Sequence, residues 1–199
     1  MTSEETYRLA AFVAAYPWTP PAEEWAGHLS SSVATVSECL TQFLPPKGKD
    51  GLTRPWLRTL SEAIAAARQA PDDPETINVL AMSVPISGVA ELMSMVEVGP
   101  DPHPIRSNLS EQVPTPAGTI LGFDVLGFSA WLFHSRLCYG LDEQALEKLG
   151  IRPNEHGLLA SLDEARQVAE LTNNKRGEHD GTPFDVDWLP ALITQHNPA

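Results

Sequence analysis

Two residues in the second half of the chain, His134 and Cys138, are four positions apart and could do chemistry together. On a helix they would share one face, where a thiolate and an imidazole could bind a metal ion or act as nucleophile and base. On a strand the two positions would be about 13 Å apart, at roughly 3.3 Å per residue, and the two side chains could not act together. Residues 129–139 fit either a strand or a helix, so the spacing leaves both outcomes open.

A cysteine nucleophile needs more than one neighbour. His156 could serve Cys138 as a base across the fold, so Cys138, His134 and His156 form an alternative catalytic site. The chain has six histidines and many carboxylates, which makes such combinations easy to find by chance. No further ligand follows a known metal-binding spacing, so the sequence predicts no metal and no cofactor. Two cysteines are too few for a disulfide framework; a single bridge between Cys39 and Cys138 is the alternative, but we expect two buried, reduced thiols.

A polar segment near the C-terminus groups several carboxylates beside an aromatic residue. A weak oxygen-ligand metal site is one interpretation, but the spacing of a calcium-binding loop is absent. The other is a contact surface for a basic protein, in which the carboxylates supply charge and the tryptophan an anchor. The predicted partner-binding residues are Glu178, Asp180, Asp185, Asp187 and Trp188.

The charge balance bears most directly on partners. The chain has 26 acidic and 13 basic residues, a formal net charge of -13. The acid excess is shared almost equally between the two halves, so an acidic tail is not its source. Such a field repels nucleic-acid phosphates and anionic lipids and attracts basic proteins. Neither a glycine-rich phosphate loop nor a basic patch is present, and direct binding of nucleic acid is disfavoured.

No apolar run approaches the roughly 18 residues needed to span a bilayer. The N-terminus lacks the basic and apolar regions of a secretory signal. The sequence therefore predicts a cytoplasmic protein without a membrane segment.

Apolar residues at helical spacing predict helices over residues 2–16, 20–44 and from Thr53 onward. Short runs rich in branched residues predict strands at 77–84 and 119–127. Ser87 is predicted to cap a helix. In the last third we expect a helix capped by Asp142 and ended by Gly150, a short strand at 157–160, a helix capped by Ser161 and Glu164, and a last short element at 187–196.

This order predicts an α+β fold, with a small α/β fold as the alternative. A helical N-terminal layer would precede alternating short strands and helices around one sheet. We expect a single domain over 1–199, with a possible sub-boundary in the proline-rich loop 99–118.

Together these features favour an acidic protein-binding module over an enzyme. We interpret the chain as a bacterial immunity or antitoxin-type inhibitor that neutralises a basic toxin by direct binding, because opposite fields speed association and blocking needs no chemistry. The alternatives are an enzyme with its site around His134, Cys138 and His156, and a structural component of a larger assembly.

Overall fold

The protein is described by a computed structural model. It describes residues 5–20, 33–44, 55–71, 76–96, 103–129, 132–173 and 187–197. Within this part the chain combines helices with a five-stranded sheet, so the predicted α+β class is confirmed. The strands are β1 (Tyr7–Ala15), β2 (Asn78–Pro85), β3 (Thr119–Ser129), β4 (Leu132–Ser135) and β5 (Trp188–His196), in the sheet order β1-β2-β5-β3-β4. The helices are α1 (Leu60–Arg68), α2 (Val89–Met95), α3 (Pro104–Ser110), α4 (Leu141–Leu149) and α5 (Leu162–Asn173).

The chain divides into two compact units. Unit 1 comprises Met1–Pro17, Gln42–Ile120 and Leu192–Ala199, and unit 2 comprises Trp18–Thr41 and Leu121–Ala191. Residues 99–118, predicted to be a proline-rich loop, thus belong to unit 1 throughout and contain helix α3. The prediction of a single domain stays a prediction.

Unit 1 is built on the antiparallel pair β1 and β2, with the end of β5 on the other side of β2. Its core lies between this sheet and α1, whose buried positions are all alanine: Ala63, Ala66 and Ala67. Small side chains let the helix approach the strands closely. The start of α1 is fixed by Thr59 and Glu62, which form a reciprocal capping box.

The prediction of a helix over residues 2–16 is wrong, because residues 7–15 form strand β1. Every residue from Leu9 to Ala15 is buried. A run that is apolar throughout satisfies helical and strand periodicity equally well, so the pattern could not decide between them. Tertiary pairing decides it: β1 pairs with β2 along one edge, and along the other Phe12 forms a bridge with Leu57.

Other predicted elements of this region shift or change type. Residues 33–44 are extended and turned rather than helical, and 21–32 lie outside the described residues. A helix does follow Thr53, but it begins at Leu60, since Leu57 is engaged in the bridge to Phe12. Strand β2 confirms the strand predicted at 77–84.

The helix predicted after Ser87 is present as α2, but it is not capped by the serine. A short 3₁₀ helix, Ile86–Gly88, precedes it, and Gly88 takes the N-cap position. Helix α3 was not predicted. Pro104 occupies its first turn, where a missing N–H costs nothing, and the His103 ring accepts a hydrogen bond from the Ile105 N–H.

Unit 2 contains the hairpin of β3 and β4, the helices α4 and α5, and the beginning of β5. Its core gathers apolar residues of β3, α4 and α5 around Trp188, which is 7% exposed. Strand β3 confirms the strand predicted at 119–127, and Gly150 ends α4 in a left-handed conformation, as predicted. The strand predicted at 157–160 is reduced to a single bridge between Phe123 and Leu159.

None of the helices that the structure describes is long and apolar enough to cross a bilayer.

Candidate functional site

The candidate site starts from a turn in unit 2 that carries Cys39. The carbonyl of Ser37 accepts hydrogen bonds from the N–H groups of Leu40 and Thr41, at 3.4 and 3.3 Å, which closes the turn. The Ser37 hydroxyl accepts a bond from the Cys39 N–H at 3.3 Å. Cys39 is exposed, while Ser37 is fully buried. The serine therefore holds the turn from the inside and leaves the thiol at the surface.

Glu38 attaches this turn to strand β4. Its N–H donates to the Phe133 carbonyl at 2.9 Å, and its carboxylate accepts from the Phe133 N–H at 2.8 Å. The reciprocal pair fixes the turn next to residue 134 of the strand. The side chain of His134 is 6% exposed, so its imidazole is held in the interior beside the turn.

The ambiguous segment 129–139 is neither one strand nor one helix. Strand β4 ends at Ser135, and a 3₁₀ helix, Arg136–Tyr139, follows at once. The Ser135 hydroxyl caps this 3₁₀ helix by accepting from the Leu137 N–H at 3.2 Å. The change from extended to helical backbone returns Cys138 toward His134, which a continuous strand would not do.

Cys39, His134 and Cys138 meet in one place, named here the thiol–imidazole cluster. One ligand atom from each residue lies within 4.8 Å of the other two. Cys39 Sγ is 2.9 Å from His134 Nδ1, and Cys138 Sγ is 3.1 Å from the Ser37 hydroxyl. The only two cysteines of the chain, 99 positions apart, therefore share one buried histidine.

The pKa values of both thiols are raised, which favours the protonated form of each. Burial raises the pKa of the Cys39 thiol; the contact with Cys138 opposes the shift and the charge of Glu38 adds to it. Burial also raises the pKa of Cys138 to about 12, against a weaker lowering by the Ser37 hydroxyl. A nucleophilic cysteine needs the opposite shift, because the thiolate is the reactive form. Without a bound cation, the cluster is poorly suited to nucleophilic catalysis.

A buried ion network supports the 3₁₀ helix on its inner side. Arg136 has no exposed surface and donates to Asp124 Oδ1 at 2.6 Å and to Asp142 Oδ1 at 2.7 Å. A third bond goes to the Gly157 carbonyl. Burial alone would lower the pKa of Arg136, but the charges of Asp142 and Asp124 and their hydrogen bonds outweigh it, so the pKa is raised and the side chain stays charged.

Asp142 was predicted to cap α4, and that prediction is wrong. Gly140 takes the N-cap position, and Asp142 lies inside the first turn. Its carboxylate turns inward to Arg136 and is 4% exposed. The sequence could not distinguish a capping acid from the partner of a buried ion pair, because both are acidic residues at the start of the helix.

The other residues predicted for a site are placed less centrally. His156 is outside the thiol–imidazole cluster; its side chain is 40% exposed, with Nε2 3.8 Å from the Glu155 carboxylate. His134 and Cys138 thus come together, but with Cys39 as the third member. Sequence reasoning missed Cys39, which was expected to be buried and is exposed.

The predicted partner-binding segment is described only at its end. Glu178, Asp180 and Asp185 lie outside the described residues, and Asp187 is half-buried. Trp188 is a core residue of unit 2 rather than an exposed ring. Its backbone N–H and carbonyl bond to the Asn173 side chain at 3.0 Å each, which ties the start of β5 to the end of α5.

The pKa values give a prediction for chemical modification. In chelator-containing buffer we expect iodoacetamide to modify Cys39 before Cys138 at every pH from about 7 to 10, because Cys39 is exposed and Cys138 remains a thiol. The rate at Cys138 should rise about tenfold per pH unit until its pKa is approached. Peptide mass spectrometry after timed quenching measures both rates. Equal rates at neutral pH would contradict the burial and protonation described here.

Chemically, the cluster offers two thiol sulfurs and one imidazole nitrogen, of which only the Cys39 sulfur belongs to the exposed turn. No family model, no curated protein and no solved structure matches this chain.

Proposed function

We propose that this chain is an acidic protein-binding module that neutralises a basic partner by direct binding, as a bacterial immunity or antitoxin protein does to its toxin. The observation that carries the proposal is the charge that stays outside the core. The buried network of Arg136, Asp124 and Asp142 accounts for only -1 of the formal -13. The remaining acid excess is not consumed by that network, and it can act on a partner of opposite charge.

The acid excess persists at the surface of the described part. Of its fourteen acidic residues only Asp124 and Asp142 are buried, and of its eight Lys and Arg residues only Arg136. The other twelve acidic and seven basic residues are exposed or partly exposed, which leaves an acid excess of five outside the core. Two of these bases already form ion pairs, Arg58 with Glu111 and Arg166 with Asp163. Each pair neutralises one acid and one base, so the acid excess is unchanged and still favours fast association with a basic partner.

The proposed contact surface is the acidic segment 178–187. Trp188, which follows this segment in sequence, is bonded to Asn173, which precedes it. A fixed base lowers the entropy cost of presenting the carboxylates to a partner. Trp188 contributes through this anchoring, and the carboxylates contribute the charge.

Catalysis at Cys138 is the second candidate. The contact of Cys39 with His134, and the closeness of both to Cys138, favour a chemical site. The raised pKa values of both thiols count against a nucleophile, since the thiolate fraction at neutral pH is small. We therefore rank binding above catalysis.

The test asks first whether the gene immediately upstream encodes a basic protein module, and then measures association of that module with two charge variants of the full chain. One variant replaces three exposed carboxylates by glutamine and brings the formal charge to -10: Glu91, Glu147 and Glu170. The matched control replaces three exposed cations by glutamine and brings it to -16: Arg68, Lys148 and Arg152. We expect the association rate at low salt to fall about tenfold in the first and to rise in the second.

Added salt should shrink both differences, because exposed charges are screened beyond about 10 Å at 0.1 M. Stopped-flow or surface-based kinetics at several salt concentrations provide the measurement. If the neighbouring product does not bind, or if both variants bind at the wild-type rate at every salt concentration, the proposal fails.

A further inference from the structure

We propose that Cys39, His134 and Cys138 bind one thiophilic divalent cation of the Zn²⁺ type per chain, with a fourth coordination position open to solvent. The proposal goes beyond partner binding and does not depend on it. The donors are the two thiolate sulfurs and one ring nitrogen of the thiol–imidazole cluster.

The spacing of the three donors is close to that of a tetrahedral zinc site. Zinc–sulfur bonds of about 2.3 Å and zinc–nitrogen bonds of about 2.0 Å place two ligand atoms roughly 3.6–3.8 Å apart. The Cys39 Sγ to His134 Nδ1 distance of 2.9 Å would open by less than about 1 Å. The remaining pairs lie within 4.8 Å, so none would need to close by more than about 1.2 Å. Such displacements need only rotation of the side chains.

The donor types select the cation. Sulfur and imidazole suit Zn²⁺ and disfavour Ca²⁺ and Mg²⁺, which need oxygen ligands. Two thiolates also cancel the charge of one divalent ion, so the complex with a neutral imidazole carries no net charge. A neutral complex suits this location, because Cys138 is only partly exposed and His134 is buried.

The surroundings hold two donors firmly and leave the third adjustable. His134 is on strand β4, and Cys138 is on the 3₁₀ helix that Arg136 anchors. Cys39 is on an exposed turn, which gives the ion a path from solvent. The Ser37 hydroxyl is 3.1 Å from Cys138 Sγ and would donate to the thiolate, as outer-shell groups do in metal sites.

The experiment titrates the full, reduced chain with Zn²⁺ alone, after a thiol assay has counted two free thiols. Calorimetry or competition with a chromophoric chelator gives stoichiometry and affinity. We expect one ion per chain, and affinity lowered tenfold or more in each of Cys39→Ser, Cys138→Ser and His134→Gln, since each removes a ligand. Ser37→Ala should weaken binding less. The matched control His156→Gln removes a half-exposed histidine outside the cluster and should leave both values unchanged.

A second measurement separates loss of ligands from loss of fold. Cys39 is exposed, so Cys39→Ser should keep the wild-type unfolding midpoint without metal and lose the increase that Zn²⁺ causes in the wild type. Co²⁺ in place of Zn²⁺ should give thiolate-to-cobalt charge-transfer absorption that the Cys39→Ser variant lowers. Wild-type affinity in Cys39→Ser, no saturable binding to the reduced wild-type chain, or cobalt spectra without thiolate bands would each overturn the proposal.

Discussion

Arg136→Met is expected to lower the free energy of unfolding by about 3–5 kcal/mol, a large fraction of the roughly 5–15 kcal/mol of ordinary proteins. The substitution puts a long apolar side chain in place of Arg136 and removes the positive charge between Asp124 and Asp142. Both carboxylates are almost fully inaccessible to water, at 0% and 4% exposure. They would remain buried without their cation, and the Gly157 carbonyl would lose its donor as well. Urea unfolding followed by circular dichroism measures the loss.

Two further variants distinguish charge from volume. Arg136→Lys keeps the charge but not the planar fork that reaches both carboxylates, so we expect an intermediate loss. The triple variant Arg136→Met, Asp124→Asn, Asp142→Asn removes the whole network and should regain part of the stability lost in Arg136→Met, because no unpaired charge remains. A loss below about 1 kcal/mol in Arg136→Met would contradict the account, since a buried pair broken on one side normally costs several.

The network also bears on the thiol–imidazole cluster. Ser135 donates to Asp124 Oδ1 at 3.0 Å and at the same time caps the 3₁₀ helix. Arg136, the first residue of that helix, lies two positions before Cys138. The buried network therefore supports the 3₁₀ helix that carries Cys138, and we expect Arg136→Lys to displace Cys138 within the cluster while the protein stays folded.

The sequence predicted β2 and β3, assigned β1 to a helix, left β4 open between strand and helix, and gave β5 no type. The runs of β2 and β3 are short and rich in branched and apolar residues, and β2 ends at Pro85, so both were recognisable. Strand β1 is an apolar run buried on both faces, where helical and extended periodicity coincide. Its identity depends on pairing with β2, some seventy positions away, and no local pattern carries that information.

The candidate site was predictable in part for the same physical reason. His134 and Cys138 are close in sequence, and their spacing pointed to shared chemistry. Whether they meet depends on the change of backbone at Ser135, which the side-chain pattern does not reveal. Cys39 contacts His134 across 95 positions, a non-local contact. The one available signal was that the chain has only two cysteines, because Cys39 is then the single other thiol that could join Cys138 at a site.

Gly122→Ala is the second substitution with a large expected effect, a loss of about 3 kcal/mol or more in stability. Gly122 is in strand β3 with φ at +144°, a conformation that side chains rarely allow. A Cβ atom there would lie 2.7 Å from the Leu159 carbonyl oxygen and 2.8 Å from Leu158 Cβ. The strand cannot withdraw easily, because Phe123 and Leu159 exchange two backbone hydrogen bonds at 2.9 and 2.8 Å.

Gly150→Ala is the matched control, because it isolates backbone strain from steric conflict. Gly150 also has positive φ, +69°, but a Cβ atom there would meet nothing within 4 Å. We expect a loss of only about 1 kcal/mol, the cost of a left-handed alanine. Urea midpoints of the two variants, with unchanged slopes, give the comparison. The difference between them combines the contact of residues 158–159 with the greater backbone strain of alanine at φ +144°, and equal losses would contradict both.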